Sequence, residues 1–216
     1  MDKKQTLSDF ETSNGSMLKT YIEKAIENDY CINNIAFENE ELSEVDASGI
    51  EFENVQFIKC DLKKCDFSRS RFYDVDFENC NISLSNFSKT FWKKVKIAES
   101  NAAGAQFIDS LIKETKITNS IFDYSNFANS AFTNCVFDNC KFNESYFSES
   151  KIKKLQLKKV TFIGTDFFKT SLRGIDLSDC IIDGIKISAD FFELKGSKIN
   201  SQQALELVKV FDIEIV

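Results

Sequence analysis

The chain has 216 residues, with 34 acidic and 27 basic side chains, a formal net charge of −7, and neither histidine nor proline. Without histidine the usual general base and the commonest zinc ligand are missing, and no glycine-rich phosphate loop, paired-carboxylate motif or GxSxG turn is present, which argues against an enzyme and against a cofactor or metal. No early apolar run resembles a signal peptide and no stretch is long and apolar enough to cross a bilayer, so a cytoplasmic protein with reduced thiols is expected.

Residues 1–15, MDKKQTLSDFETSNG, are polar and aperiodic and are expected to be flexible. The next stretch, SMLKTYIEKAIEND, reads as a short helix that Ser16 can cap, with Leu18, Ile22, Ala25 and Ile26 forming one apolar stripe. Residues 1–31 therefore form an N-terminal segment whose helix is expected to cover the first coil of the repeat that follows; a partner-binding helix is the alternative.

From Ile32 to Ile187 every fifth residue is apolar, in 32 consecutive stops without an insertion. A stride of five is neither the 3.6 of a helix nor the 2 of a flat strand. Two residues before each stop lies a second, smaller residue, such as Cys60, Cys65, Ser70, Val75, Cys80, Ser125 and Ser130. Inward positions thus alternate two and three residues apart, as a short extended segment followed by a tight turn would place them. Four such segments close a square coil of roughly 20 residues, and stacked coils pair their backbones at about 4.8 Å. The expected fold is an all-β solenoid, a quadrilateral β-helix of about eight coils over residues 32–199, with a short helix before it and another after it.

The residue two after each stop is often glycine or asparagine, as at Gly49, Asn54, Asn79, Gly104, Asn119, Gly164 and Gly184, which suits a turn that needs positive φ. Other turns carry Lys, Glu or Asp there, so a mixture of turn types is expected. Of 22 phenylalanines, 16 occupy the stops, which makes the aromatic excess core filling in place of a nucleic-acid stacking surface. Trp92 falls on the face opposite Ala102 in one coil, and Phe37 opposite Ala47 in another, so large side chains meet small ones. Six of the seven cysteines take the small inward position and are expected to pack as free thiols; Cys31 alone lies off the pattern.

Function must then lie on the outside. Between Cys31 and Cys80 there are twelve acidic and five basic residues. Glu38, Glu40, Glu41, Glu44, Asp46, Glu51 and Glu53, continued by Asp74 and Glu78, make an acidic partner-binding surface on the first coils. Lys93, Lys94, Lys96, Lys113, Lys116, Lys151, Lys153, Lys154, Lys158 and Lys159 follow, mostly around one corner, with Arg173 in line. Solvation alone accounts for most charged solenoid faces. Direct nucleic-acid binding is not expected of the chain, and the Lys153, Lys154, Lys158 and Lys159 corner is where it would occur.

After Ile187 the stride slips by two, since Leu194 and Ile199 are the next apolar stops, so SADFFEL reads as a bulge or loop whose Phe191 and Phe192 seal the last coil. Residues 200–216 begin with a helix, NSQQALELVKVF, in which Asn200 and Gln203 have capping-box spacing. Ala204, Leu207, Val208 and Phe211 line one face, and Ile213, Ile215 and Val216 alternate as a short strand. So dense an apolar end needs cover, which a twofold dimer contact through Ala204, Leu207, Val208, Phe211, Ile213 and Ile215 would supply.

The repeat unit, a small residue, then Asp or Asn, then a central Phe or Leu, as in CDLKK, CDFSR, VDFEN and SNFSK, resembles the pentapeptide-repeat superfamily over residues 32–199. The ending, LRGIDLSDCIIDGIKI then LKGSKINSQQALELVKVFDIEIV, is similar to the C-terminal signature of the Qnr and MfpA-type quinolone-resistance proteins, including Gln203-Ala204 and Ile213-x-Ile215. The resemblance implies a right-handed coil, a homodimer joined through the C-terminal helix, and binding to DNA gyrase or topoisomerase IV as a mimic of duplex DNA that shields the enzyme from fluoroquinolones. Residues 32–199 hold 25 acidic and 22 basic side chains, a net of −3, so mimicry would be local to the acidic first coils. A cytoplasmic scaffold or interaction rod with a different partner is the alternative.

Overall fold

The computed structural model describes residues 16–208. Its first helix, α1 (Met17–Asn28), starts where the Ser16 hydroxyl accepts the Lys19 N–H at 3.2 Å and ends at Asp29, which takes a left-handed φ of 52°. The buried stripe is Leu18, Tyr21, Ile22 and Ala25, whereas Ile26 is 54% exposed. Tyr21 takes the place expected of Ile26 because its ring meets Phe37 edge-on at 5.5 Å, closing the helix over the first coil.

The chain then winds into a parallel β-solenoid. Its strands are β1 (Ile32–Glu38), β2 (Glu51–Ile58), β3 (Arg71–Tyr73), β4 (Asp76–Glu78), β5 (Phe91–Lys93), β6 (Lys96–Ala98), β7 (Leu111–Lys113), β8 (Lys116–Thr118), β9 (Ala131–Asp138) and β10 (Lys151–Lys158). Each residue pairs with its equivalent one coil on, as Ile32 with Phe52, Phe52 with Phe72, and Phe72 with Trp92. The other two sides of the square are held by single bridges at the same spacing, such as Glu41 to Asp61 and Asp46 to Asp66. Inside, the stops stack in columns: Phe52 on Phe72 at 5.1 Å, Phe57 on Phe77 at 4.8 Å, Phe67 on Phe87 at 5.1 Å and Phe107 on Phe127 at 4.6 Å between ring centroids. Each buried ring removes enough apolar surface from water to contribute roughly 1.5–3 kcal/mol.

Positive φ is common to the turns, which are otherwise mixed as expected: those after Phe67, Ile82 and Phe122 close with an N–H bond from the residue three on, whereas those after Phe72 and Phe77 do not. Every fifth residue from Asn34 to Gly174 has positive φ, including Leu84 at 58° and Tyr124 at 61°. For a residue with a Cβ this costs on the order of 1–2 kcal/mol. Through most of the rod the N–H of such a turn finds a carbonyl in the next coil, as Lys64 to Ser83 at 3.0 Å and Leu84 to Ala103 at 2.9 Å. An unpaired N–H there would cost as much or more, so the stack imposes positive φ whatever the side chain.

The small inward position does more than fill space. Ser70, Ser85, Ser110, Ser130 and Ser150 donate to the carbonyls of Ala47, Leu62, Phe87, Phe107 and Phe127 in the preceding coil, at 2.6–3.0 Å. Several of these hydroxyls also accept an N–H from that coil, as Ser110 does from Thr90 and Ser130 from Ser110. Thr90 additionally accepts the Trp92 indole N–H at 2.7 Å. A hydroxyl column thus runs through the apolar interior with its members satisfied.

The strand ladder makes six successive coil-to-coil pairings, from β1 to β10, and so stops short of the expected eight coils. Beyond β10, bridges continue at Thr161 to Ile181 and Asp166 to Lys186. On the other two faces β10 pairs, among the described residues, only with β9. Leu172, Gly174 and Leu177 donate onward, as Leu62, Lys64 and Phe67 do in an earlier coil, but to Glu193, Gly196 and Lys198 at 2.8–2.9 Å. The slip of two is visible here, since Asp176 bridges Lys198 where an unbroken stride would offer Gly196.

The slipped segment is a turn of 3-10 helix, Phe192–Leu194, entered through Phe191 at a left-handed φ of 56°. Leu194 packs on the core, but Ile199, the other anticipated stop, is 36% exposed, and Phe192 at 46% seals nothing. The work falls to Glu193, fully buried, which accepts the Lys169 N–H at 2.8 Å and the Ser188 N–H at 3.0 Å. In α2 (Ser201–Val208), Asn200 and Gln203 form the reciprocal capping box at 2.8 Å each way. Gln203 also donates to the Leu177 and Cys180 carbonyls at 2.8 and 2.7 Å, fastening the helix to the solenoid end. Phe211, Ile213 and Ile215 lie outside the described residues.

Candidate functional site

The stacking that buries one side of each strand presents the other as columns of side chains drawn from successive coils, and the acidic residues of the first coils must be read in those columns. Glu38 lies in line with Ile58 and then Glu78. Glu41 heads a column with Asp61, Asn81 and Asn101, and Asp46 one with Asp66 and Asn86. Glu53 stands between Asn33 and Tyr73. The acids therefore encircle the rod instead of sharing one face, and Asp61 and Asp66 extend two of the columns. The one-coil offset in the sequence is the signal that points to them.

Their freedom differs. Glu40 serves α1: its carboxylate accepts the Ser16 hydroxyl and the Met17 N–H, the latter at 3.2 Å, where a helix start favours an anion. Glu44, Glu51 and Asp74 meet Lys64, Arg71 and Lys94 one coil on, at 3.2, 3.7 and 3.7 Å. Asp46 accepts the Ser48 N–H at 2.9 Å, and that bond, with the Ser48 hydroxyl and Arg69 nearby, holds its carboxyl below the ordinary range. Glu38, Glu41, Glu53 and Glu78 are exposed and make no ion pair among the described residues.

The same one-coil pairing recurs along the rod, in Lys96 with Asp76, Lys158 with Asp138 and Lys169 with Glu149 at 3.1–3.7 Å. Each exposed pair is worth no more than about 1 kcal/mol. The lysine corner read from sequence splits: Lys153 and Lys154 sit at one corner, while Lys158 and Lys159 lie one face further on. Along the first of these corners runs a groove of about 460 Å³, flanked by Asp74 and Asp76, Lys94 and Lys96, and Glu114 and Lys116.

All seven cysteines are free and buried. Burial pushes the Cys140 and Cys180 thiols up to about 11, and raises Cys135 and Cys65 as well. The neighbouring Cys80 thiol lowers Cys60 and is itself raised by it. Cys31, Glu51 and Glu53 bring a thiol and two carboxylates within 4.8 Å of one another. Three donors, one of them also held by Arg71, fall short of the four a structural zinc takes. No helix among the described residues is long and apolar enough to cross a membrane.

Comparison with known proteins agrees with this architecture. The family model described as pentapeptide repeat region matches residues 31–107, and that described as pentapeptide repeats (8 copies) matches residues 110–148, together more than half of the chain. Solved structures similar to the chain include a trypsin-treated variant of QnrB1, a plasmid-mediated fluoroquinolone resistance protein, at 20% identity over 86% of this chain and 99% of that one, with a TM-score of 0.52. Full-length QnrB1 matches at 16% identity over 84% and 99%, TM-score 0.41. A pentapeptide repeat protein from the Arabidopsis thaliana thylakoid lumen matches at 17% identity over 45% and 68%, TM-score 0.43. Curated protein sequences give no significant match. At these identities the likeness is one of fold.

Proposed function

Because the chain belongs to the pentapeptide-repeat superfamily, we propose that it is a non-enzymatic binding rod whose acidic first coils engage DNA gyrase or topoisomerase IV as a partial mimic of duplex DNA, with protection from fluoroquinolones as the consequence. The observation that carries this reading is the set of unpaired acids, Glu38, Glu41, Glu53 and Glu78, held on a stiff scaffold within the first coils. A duplex presents one charge per ~1.7 Å of axis, and coil spacing of about 4.8 Å with acids on several sides approaches that only where cations do not intervene. The excess of acids over bases between Cys31 and Cys80, twelve against five, confines the mimicry to this end. The test is gyrase supercoiling with and without ciprofloxacin, using wild type and a variant with those four glutamates changed to glutamine. Wild type alters supercoiling or restores it in drug, and the variant does neither; a wild-type protein without effect in both assays refutes the reading.

The same proposal includes a twofold dimer through α2. Supporting it, Ala204, Leu207 and Val208 remain half-exposed in the single chain, and Leu207 borders an apolar cavity of about 420 Å³ with Ile185, Ile187 and Phe191. Light scattering on wild type should give twice the chain mass, and Leu207→Glu the single mass; a monomeric wild type refutes it. A scaffold with another partner is favoured by one different feature, the exposed apolar residues Leu84, Tyr124, Tyr146, Ile163 and Phe168 along one side of the rod. A pull-down that yields one stoichiometric partner other than a topoisomerase would establish that reading.

A further inference from the structure

Among the described residues, no strand pairs with the side of β10 away from β9, which is a strand edge in the flank of the rod. In earlier coils the turn N–H at this corner reaches a carbonyl of the next coil, as Lys94 to Lys113 at 3.1 Å and Glu114 to Thr133 at 2.8 Å. The equivalent bond from Lys154 to Arg173 is absent, and so are the return bonds from Ser171 to Ser150 and Asp176 to Leu155. The cover is thin as well. Ile152 and Leu157 are only partly buried, whereas their column neighbours Phe132 and Phe137 are 1% and 0% exposed.

Charge singles out the same edge. Elsewhere lysines often have an acid one coil before them, but Lys151, Lys153 and Lys154 stand on Ala131, Thr133 and Asn134. The residues one coil beyond are Ser171, Arg173 and Gly174. These three cations make no ion pair among the described residues. An exposed edge is a template for another strand, and opposite charges facing each other across strands stabilise the pairing.

We propose that β10 is a docking edge for an extended acidic segment of a partner protein, added in parallel as an extra rung. Recognition would come from backbone bonds to β10, from two apolar side chains five residues apart set over Ile152 and Leu157, and from carboxylates beside Lys151, Lys153 and Lys154. The chain's own β2, Glu51–Ile58, has this pattern, with Phe52 and Phe57 five apart and Glu51 and Glu53 flanking the first. Its sequence, EFENVQFI, is therefore a suitable probe. The inference is independent of the topoisomerase reading, because the assay contains no topoisomerase.

The experiment is fluorescence anisotropy of a labelled EFENVQFI peptide with the full-length protein, alongside the charge-reversed peptide KFKNVQFI, with amide exchange followed by NMR. The acidic peptide should bind at least tenfold more tightly than the reversed one, and the Lys154 amide should exchange at least tenfold more slowly in its presence. A variant combining Lys151→Glu, Lys153→Glu and Lys154→Glu, all at exposed positions and checked for unchanged circular dichroism, should invert the peptide preference. Equal binding of both peptides, binding that survives the charge swap unchanged, or an unaltered Lys154 amide each overturns the proposal. So does binding of duplex DNA through these lysines with no binding of the acidic peptide, which would mark a polyanion surface.

Discussion

Ser130→Ala tests whether the hydroxyl column holds the coils together. The Ser130 hydroxyl donates to the Phe107 carbonyl at 2.6 Å and accepts the Ser110 N–H at 3.0 Å, all in the dry interior. Alanine removes both partners at once. A buried donor or acceptor left alone costs about 1–3 kcal/mol, so the substitution should destabilise by roughly 2–4 kcal/mol, a large share of a typical ~5–15 kcal/mol stability. Ser130→Cys should stay within about 1 kcal/mol of wild type, because thiols already play the part elsewhere: Cys80 reaches the Phe57 carbonyl at 3.2 Å and Cys140 the Ile117 carbonyl at 3.4 Å. Urea unfolding at equal slope gives the comparison directly. If alanine costs under about 0.5 kcal/mol, or cysteine costs as much as alanine, the column is mere filler and the reasoning fails.

Leu84→Asn should raise the melting temperature by a few degrees, corresponding to ~0.5–1 kcal/mol, since asparagine tolerates φ 58° better than leucine and the Leu84 side chain is 60% exposed; a fall in melting temperature contradicts it. For Glu193, burial pushes the carboxyl up, but hydrogen bonds from Ser188 and the backbone N–H groups outweigh it and hold the group below its ordinary value. Its stabilising effect is therefore present above the unfolded value of about 4.3 and is lost as pH falls through the lower folded value. The Lys169 amide resonance should titrate with a midpoint below about 4.3, and Glu193→Gln should abolish that titration. Gln203→Leu leaves the Leu177 and Cys180 carbonyls without this donor and removes half of the capping box, so amide exchange across Ser201–Val208 should accelerate at least tenfold, in keeping with a loss above about 1.4 kcal/mol.

The five-residue stride made most of the core legible because every stop from Ile32 to Phe147 faces the same requirement. Phe52, Phe72 and Trp92 occupy one column whatever their neighbours, and the pairing register follows from the count alone. Positive φ at corners that carry Leu or Tyr is not legible for a related reason. Residue preference at Leu84 or Tyr124 speaks against positive φ, but the N–H bonds to the adjacent coils decide the conformation, and local preference reports nothing of them. Ile26 illustrates a smaller failure, since helical spacing admits either it or Tyr21 and only the Phe37 ring settles the choice. Membership of the acidic surface was legible as composition, whereas the diversion of Glu40 to α1 requires knowing that the helix start lands beside it.

The open edge at β10 shows most clearly what a perfect stride conceals. Ile152, Leu157, Leu172 and Leu177 all obey it, so nothing between residues 150 and 180 announces a break. Two extra residues follow one coil later, after Ile187. They set Glu193 where Phe191 would have stood, and the N–H of Leu172 bonds to the Glu193 carbonyl in its stead. On these two faces the eighth coil is tied to the slipped segment and also carries no backbone bond to β10, while on the other two Thr161 and Asp166 keep their regular partners. In a structure whose every rung completes the one before, an edge without backbone bonds to the next coil is the kind of surface a uniform rod otherwise lacks.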